Sequence, residues 1–257
     1  MSNYYQNVDY PTDNNPLWRL FERNYNKYYL EAMPSLDYDY IPIKIHQVWV
    51  GSPLPDKYRR LTDSWRDNHP NWEYKLWTDD DVEDFKMVNR KLFDTVENLG
   101  AKADIFRYEI IFRHGGIYAD TDFECIKPFD CFRTLSFFGG SGWTNNPCVF
   151  NGLFGATQQH CILSMVINAL NAKTIKPHNR LNEIHGLTGP DFFSDIVTKY
   201  MQESGDRIVI FPKNFFYPFP PERRLEIRKD TKEDIKLTHS YITPRTHAIH
   251  LWHTSWQ

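Results

Sequence analysis

Residues 103–122 constrain this chain most, because they join a helical stretch, a pair of glycines, a short apolar run and two acids. Asp104 and Arg107 are three residues apart, so a helix places them on one face. Gly115 and Gly116 supply the unhindered or left-handed backbone that ends a helix. The segment therefore predicts a helix that stops sharply before an extended run.

Two carboxylates follow that extended run. Residues 117–119 are apolar and suit a buried strand, and Asp120 and Asp122 come at or just past its end. Carboxylates at the exit of a strand in an α/β sheet commonly meet divalent cations and nucleotide phosphates. Acids two residues apart also occur in surface loops, but the preceding glycines and strand favour a site for a metal and a polar ligand.

Composition narrows the class of protein. The chain has 257 residues, enough for one sizeable α/β domain, and a net charge of −3 without a basic run, so nucleic acid is not a predicted partner. The four cysteines form no C-x-x-C pair, which argues against a zinc ribbon. No stretch approaches the roughly 20 apolar residues of a membrane span, and we expect a cytoplasmic protein, in a bacterium or in the host of a virus. The aromatic share is 16%, and we expect most of these rings in the core.

The order of periodic segments predicts an α/β fold with a mainly parallel central sheet flanked by helices. Residues 1–40 are predicted to be a partly helical N-terminal extension, with a helix over residues 16–33. Residues 41–257 are predicted to be a single domain. Strands are predicted over residues 41–50, 72–77, 207–212 and 248–252, and helices over 55–68, from about 92 or 101 to 114, 160–172 and 189–202.

Two further segments carry candidate ligand contacts. Trp49 ends the first predicted strand, where it could stack on a nucleobase, a contact worth about 1–3 kcal/mol; a core tryptophan is the alternative. Near the C-terminus, an extended run over residues 248–252 would place His250 on one face and His253 on the other. His247, His250 and His253 cannot then converge on one metal, and His250 is the candidate ligand.

Several blocks of the chain, in one order, resemble the family 32 glycosyltransferases, which include the yeast initiating mannosyltransferase and bacterial capsule enzymes. The large clostridial glucosylating toxins look similar over the same blocks. These blocks are residues 41–51, 64–70, 74–77, 103–108, 115–122 and 250–256. The resemblance implies a GT-A type fold, a nucleotide-sugar donor, a glycan or other hydroxyl-bearing acceptor, Mn²⁺ (or Mg²⁺), and retention at the anomeric carbon.

The resemblance also implies roles for individual residues. Catalytic roles fall on Asp104, Arg107, Asp120, Asp122 and Asp191, and metal ligation on Asp120, Asp122 and His250. Donor contacts fall on Trp49, Gln47, Asp104, Arg107, Tyr118, Asp120, Ser255 and Trp256. Trp49 would stack on the base, Arg107 would hold the diphosphate side, and Asp191 lies near an acceptor-side turn. His253 stands where the family more often has a small residue, which leaves the choice between His250 and His253 open.

Together these features predict a metal-dependent retaining glycosyltransferase, with residues 41–130 as the donor and metal half and 131–257 as the acceptor half and closing segment. A UDP-sugar is favoured as donor over GDP-mannose. Two alternatives remain: a non-catalytic nucleotide-sugar or glycan-binding module of the same fold, and a metal-dependent phosphatase, which the mid-chain position of the acids disfavours. No carboxylate is assigned as a covalent nucleophile, so front-face attack by the acceptor hydroxyl is the hypothesis.

Overall fold

Three parallel strands form the half of the central sheet that ends in the two acids. The computed structural model describes residue 4 and residues 15–31, 41–142, 146–174, 181–227 and 230–253. Strand β1 (Lys44–Val48) pairs in parallel with β2 (Glu73–Trp77) on one side and with β3 (Gly116–Ala119) on the other. Asp120 and Asp122 therefore leave the sheet beside the end of β1, as expected for carboxylates that follow a strand.

Within the described residues, the other half of the sheet contains the one strand of the sheet that runs antiparallel to its neighbours. The sheet order is β2-β1-β3-β6-β5-β7, in which β6 (Val149–Ala156) runs antiparallel to both neighbours, and β5 (Phe137–Ser141) and β7 (Ile208–Phe211) are parallel. A separate two-stranded antiparallel sheet joins β4 (Phe123–Cys125) to β8 (Ala248–His250). The predicted α/β fold with a mainly parallel sheet is confirmed.

Helices flank the sheet. They are α1 (Pro16–Tyr25), α2 (Arg59–Asn68), α3 (Asp79–Asp84), α4 (Arg90–Thr95), α5 (Leu99–His114), α6 (Cys161–Asn171), α7 (Leu181–Leu187), α8 (Pro190–Glu203) and α9 (Lys232–His239). A π-helical turn, Asn26–Leu30, extends α1, and 3₁₀ turns cover Asp56–Tyr58, Asp130–Phe132 and Pro221–Ile227. Most predicted elements are present but shorter, because several of their predicted ends are turns or irregular backbone.

Helix α5 has a capped start and, as predicted, ends at two glycines. The Asn98 side chain accepts a hydrogen bond from the Ala101 N–H at the start of the helix, at 3.0 Å. Gly115 ends it with a φ of 61°, and Gly116 follows with a φ of 99°. A Cβ at Gly116 would lie 2.6 Å from the Lys44 carbonyl oxygen, so β3 can approach β1 only with glycine there. This turn brings the inner face of α5 over the end of β3.

Most of the aromatic residues pack in the core, as expected. Phe132 lies at the centre of one such group, with its ring centroid 4.9 Å from that of Phe211 and 5.1 Å from that of Phe138. Phe129 and Phe216 stack beside them at 5.6 Å. Buried rings of this size supply a large share of the apolar burial that stabilises a domain. Within the described part of the chain, no helix has both the length and the apolar character needed to cross a bilayer.

Candidate active site

A cavity of about 780 Å³ opens at the ends of β1 and β3. Its wall combines side chains from the loop after β1, from α5, from the acids after β3, and from β6, α8 and the segment after β8. Its lining includes Trp49, Asp104, Arg107, Asp120, Asp122, Asn151, Asp191, Arg224, His250, Trp252 and His253. Residues that are far apart in the chain therefore meet at the sheet edge where α/β folds receive ligands.

Two carboxylates and one imidazole meet on the floor of this cavity. One ligand atom each of Asp120, Asp122 and His250 lies within 4.8 Å of the others. Asp122 Oδ1 is 3.1 Å from His250 Nε2, and Asp122 Oδ2 accepts the His253 backbone N–H at 2.8 Å. A Cβ at Gly152 would lie 2.8 Å from Asp120 Oδ2, so glycine in β6 leaves room for that carboxylate.

The small β4–β8 sheet places His250 against the acids. Phe123 pairs with His250 across the two strands, and the two rings stack with centroids 4.4 Å apart. The strand ends at His250, and Trp252 takes a φ of 57°, which turns the chain back so that the His253 N–H reaches Asp122. The predicted alternation of side chains between two faces through residue 252 is therefore wrong, because Trp252 has a left-handed backbone conformation.

Among the three C-terminal histidines, His250 is the one that joins the acids. His247 lies elsewhere, with its Nδ1 2.9 Å from the Pro128 carbonyl oxygen. His250 and His253 both line the cavity. Within the described residues, His250 Nδ1 and both ring nitrogens of His253 are buried without a hydrogen-bond partner. Buried polar atoms of this kind are rare in folded proteins and commonly mark a ligand or an ion.

The pKa values of the two acids are shifted in opposite directions. Burial tends to raise the pKa of Asp122, but the neighbouring His250 and the His253 N–H outweigh it, and the pKa lies below its usual range. Burial raises the pKa of Asp120 despite the opposing charge of Arg107, and the Asp122 charge adds to the rise. Asp122 is thus an anion at neutral pH. Two carboxylates and an imidazole are a donor set that fits Mn²⁺ or Mg²⁺.

Arg107 and Asp104 form a buried ion pair above the floor, with 5% and 7% of their surfaces exposed. Arg107 Nη2 lies 3.2 Å from Asp104 Oδ1 and 3.1 Å from Asp120 Oδ1. Its other nitrogens donate to the carbonyl oxygens of Asn151 at 2.9 Å and Ala103 at 3.2 Å. Burial raises the pKa of Asp104, and Arg107 opposes that rise. The predicted shared helix face of Asp104 and Arg107 is confirmed.

Asn151 and Tyr108 belong to the same network, although the sequence reasoning missed them. Asn151 Nδ2 donates to Asp104 Oδ1 at 2.7 Å and to the Tyr108 hydroxyl at 2.8 Å. Thr188 Oγ1 donates to Asp104 Oδ2 at 2.9 Å, and the Tyr108 hydroxyl donates to the Thr188 carbonyl oxygen at 2.8 Å. In the sequence, Asn151 precedes Gly152 within the glycine-containing run of residues 137–155. This pattern could have indicated Asn151 as a site residue. This network ties α5 to the turn before α8.

Gln47 and Tyr118, predicted as donor contacts, lie behind the cavity floor rather than in its lining. Gln47 Nε2 donates to the Asp120 carbonyl oxygen at 3.1 Å, and Gln47 Oε1 accepts from the Tyr74 hydroxyl at 2.6 Å. The Tyr118 hydroxyl donates to Asp120 Oδ1 at 2.7 Å. Both side chains are fully buried, so they position Asp120 instead of facing a ligand.

The remaining predicted site residues lie at the rim or outside the described residues. Trp49 lines the cavity, half-buried, with its ring centroid 5.0 Å from that of Tyr58. Asp191 lines the cavity from the first turn of α8 and is exposed. Ser255 and Trp256 lie outside the described residues.

Part of the chain is similar to known glycosyltransferases. Residues 55–137 match the family model described as a glycosyltransferase sugar-binding region containing the DXD motif. Inositol phosphoceramide mannosyltransferase 1 of Schizosaccharomyces pombe (strain 972 / ATCC 24843) is 28% identical over 180 residues, which cover 67% of this chain and 56% of that protein. Uncharacterized glycosyltransferase L373 of Acanthamoeba polyphaga mimivirus is 26% identical over 173 residues, which cover 64% of this chain and 67% of that protein. The chain thus spans little more than half of the fungal relative's length.

The fold has a counterpart among solved structures. The PaToxG glycosyltransferase aligns with a TM-score of 0.53 and 16% identity, over 72% of this chain and 77% of that chain. At this identity the likeness shows the fold alone. Together with the family match, it confirms the predicted GT-A type fold and the resemblance to the DXD-containing family 32 enzymes.

Proposed function

Because this chain carries the sugar-binding region of the DXD-containing glycosyltransferases, we propose that it transfers a sugar from a nucleotide-sugar donor to a hydroxyl-bearing acceptor. The reaction we propose depends on a divalent metal ion and retains the configuration of the anomeric carbon. One observation carries the proposal: ligand atoms of Asp120, Asp122 and His250 lie within 4.8 Å of one another on the floor of a cavity of about 780 Å³. A cavity of this size can enclose a ligand as large as a nucleotide sugar.

Each group on the floor has a distinct part in the proposal. Asp120, Asp122 and His250 would hold Mn²⁺ or Mg²⁺, which neutralises the charge that develops on a leaving diphosphate. Arg107 holds Asp120 from one side at 3.1 Å and the Tyr118 hydroxyl holds the same oxygen at 2.7 Å. The Asp120 carboxylate is thereby oriented before any ligand arrives, which is how sites avoid reorganisation costs.

The engagement of Asp104 supports front-face attack by the acceptor hydroxyl. Asn151 and Arg107 contact Oδ1 of Asp104, and the Thr188 hydroxyl donates to Oδ2. A carboxylate engaged in this way is a poor covalent nucleophile. Asp191, exposed at the start of α8, is the residue we propose to lie nearest the acceptor. Proton NMR of the first product should show a retained anomeric configuration, and a trapped sugar–enzyme adduct would contradict front-face attack.

Two donors are candidates. A UDP-sugar is the donor favoured by the sequence-level resemblance. The curated relative from S. pombe is described as a mannosyltransferase, and this favours the second candidate, a mannose-bearing donor such as GDP-mannose. A thermal-shift screen of both donor classes, with and without Mn²⁺, separates them, because only the bound nucleotide sugar raises the melting temperature.

The decisive experiment is release of nucleoside diphosphate from the donor that binds, measured with Mn²⁺ and after chelation. We expect slow release without acceptor and faster release with it, and loss of both after chelation. Binding of the donor without release, at every metal and acceptor tried, would favour the alternative of a non-catalytic binding module. Hydrolysis of a simple phosphomonoester without any nucleotide sugar would favour the phosphatase alternative. The cytoplasmic location and the division at residue 130 stay predictions.

A further inference from the structure

The two edges of the six-stranded sheet differ in how they are covered. The sheet ends in β7 on one side and in β2 on the other. At the β7 edge, the Tyr4 hydroxyl donates to the Ile210 carbonyl oxygen at 2.9 Å. Asn24 of α1 donates through Nδ2 to the Ile208 carbonyl oxygen at 3.0 Å, and α1 packs against β7. Side chains of the chain itself therefore occupy the backbone of β7 that another strand would need.

The β2 edge has no such cover within the described residues. The Glu73 N–H donates to the Ile43 carbonyl oxygen at 3.0 Å, so Glu73 and every second residue after it turn their backbone groups toward β1. The backbone N–H and C=O groups of Tyr74 and Leu76 consequently point away from the sheet. No group of the described residues bonds to them. An edge strand with free backbone groups is a template for pairing with another strand.

The charges on β2 determine which strand fits this edge. Glu73 and Lys75 lie two residues apart and therefore share one face of the strand, with 59% and 39% of their side-chain surfaces exposed. Glu73 contacts Lys44 at 3.0 Å and Lys75 contacts Asp81 at 2.6 Å, but pairs exposed to this degree contribute little and leave room for a second contact. An edge with charges of a single sign repels a second copy of itself, whereas β2 carries one charge of each sign.

Antiparallel pairing of β2 with a second copy matches these charges in one register. When the two strands are centred on Tyr74, the two tyrosines exchange their outward hydrogen bonds. Glu73 of each copy then lies opposite Lys75 of the other, in the positions where facing side chains approach most closely. A register centred on Lys75 places two lysines opposite each other, and one centred on Leu76 places Lys75 opposite Trp77. The sequence of β2 is thus complementary to itself.

We propose that β2 is a dimer interface, at which two copies of this chain pair edge to edge in the antiparallel register centred on Tyr74. The contact uses the same surface of both copies, so it closes at two. Antiparallel pairing reverses the strand direction, so the two cavities, at the ends of β1 and β3, open at opposite ends of the dimer. One pair of short strands makes a small contact, and we expect dissociation in the micromolar range. The proposal does not depend on the function proposed for the cavity.

Two charge reversals within β2 test the proposal. In the Tyr74-centred register, Lys75→Glu places two glutamates opposite each other at both positions, and Glu73→Lys places two lysines there. We expect each variant alone to dimerise roughly 10- to 100-fold more weakly than the unsubstituted chain, because two attractive pairs become two repulsive ones. An equimolar mixture of the two variants should dimerise as the unsubstituted chain does, because a lysine then faces a glutamate at both positions.

Analytical ultracentrifugation of the full chain, from low to high micromolar concentration, measures the dimer. Lys236→Glu, on an exposed position of α9, is the control for the change in net charge and should leave the dimer unchanged. Melting temperatures show whether Lys75→Glu, which also loses its contact with Asp81, remains folded.

Four results would overturn the proposal. A chain that is monomeric at every concentration has no such interface. A dimer that both variants form as readily as the unsubstituted chain uses another surface. Folded variants that remain monomeric when mixed reject the Tyr74-centred register. A monomer that binds a synthetic peptide of residues 72–78 has an edge that receives a foreign strand rather than a second copy.

Discussion

Two groups of polar residues meet in one cavity, and they differ in how completely their hydrogen bonds are made. The α5 network (Asp104, Arg107, Tyr108, Asn151 and Thr188) pairs both oxygens of its internal carboxylate and every nitrogen of its arginine. The C-terminal corner (Asp122, His250 and His253) leaves three ring nitrogens buried without a partner in the described residues. Both are largely buried, so burial alone does not explain the difference.

The contrast separates scaffold from ligand site. A buried network whose partners are all present is rigid and contributes to a single well-defined geometry. A buried donor or acceptor without a partner costs about 1–3 kcal/mol, and it is kept where a ligand later satisfies it. We infer that the α5 network positions the site before ligands bind, whereas the C-terminal corner is completed by the metal ion and the phosphate groups. Four substitutions test this contrast.

Arg107→Met should have the largest effect on stability. It removes the positive charge from the buried carboxylate of Asp104 and the partly exposed one of Asp120, while keeping much of the side-chain volume. Breaking a buried pair on one side costs about 3–5 kcal/mol, which for a chain of this size lowers the melting temperature by roughly 10 °C. Thermal unfolding measures it, with Arg59→Met on the exposed surface of α2 as control. A melting temperature within 2 °C of the unsubstituted chain (an approximate threshold set by about 0.5 kcal/mol) would contradict a structural role for the network.

Asp122→Asn should mainly affect turnover. The amide keeps the shape of the side chain but removes the anion that we propose as a metal ligand. We expect a loss of metal-dependent nucleoside diphosphate release of about 10²–10³-fold, similar to the loss of one strong electrostatic contact in other enzymes. The fold should persist, as judged by circular dichroism. Asp63→Asn, which alters an exposed ion pair on α2, is the control. Undiminished turnover at saturating Mn²⁺ would remove Asp122 from the metal site.

Thr188→Val should have an intermediate effect on stability. Valine keeps the shape but removes the hydroxyl that donates to Asp104 Oδ2 at 2.9 Å. Leaving that buried oxygen without its donor should lower the free energy of unfolding by about 1–3 kcal/mol. Urea unfolding measures the change, and Thr95→Val on the exposed side of α4 serves as comparison. Equal stability of the two variants would show that the network tolerates an unpaired oxygen.

His253→Phe should have the smallest effect on stability. Phenylalanine keeps an aromatic ring beside Tyr58 and removes two nitrogens that have no protein partner in the described residues. Because no hydrogen bond of the side chain is lost, the free energy of unfolding should stay within about 0.5 kcal/mol of its original value. The same urea experiment measures it. A loss comparable to that of Thr188→Val would mean that the ring has a partner after all and that the contrast between the two groups is false.

Much of the region around Asp120 and Asp122 could be predicted, because the sequence patterns that indicate it are local. The glycine stop, the apolar strand and the paired acids lie within residues 115–122, and the 3.6-residue repeat alone places Asp104 beside Arg107. The C-terminal side depended on contacts that no local pattern encodes. The predicted alternation of residues 248–252 failed at Trp252, which has a φ of 57° and whose indole donates to the Phe219 carbonyl oxygen, 33 residues away in the chain.

The sequence by itself determined the α/β order of elements, the turn that Gly115 and Gly116 allow, and the acids at the end of β3, because helix periodicity, glycine conformation and strand patterning act over a few residues. Only the tertiary structure decided that Gln47 and Tyr118 support Asp120 from behind, that Asn151 and Thr188 saturate Asp104, and that His253 lines the cavity with neither ring nitrogen bonded to another described residue. Those facts depend on which side chains meet across more than 40 residues of chain in most cases, and hydrogen bonds over such separations are set by packing rather than by any local preference.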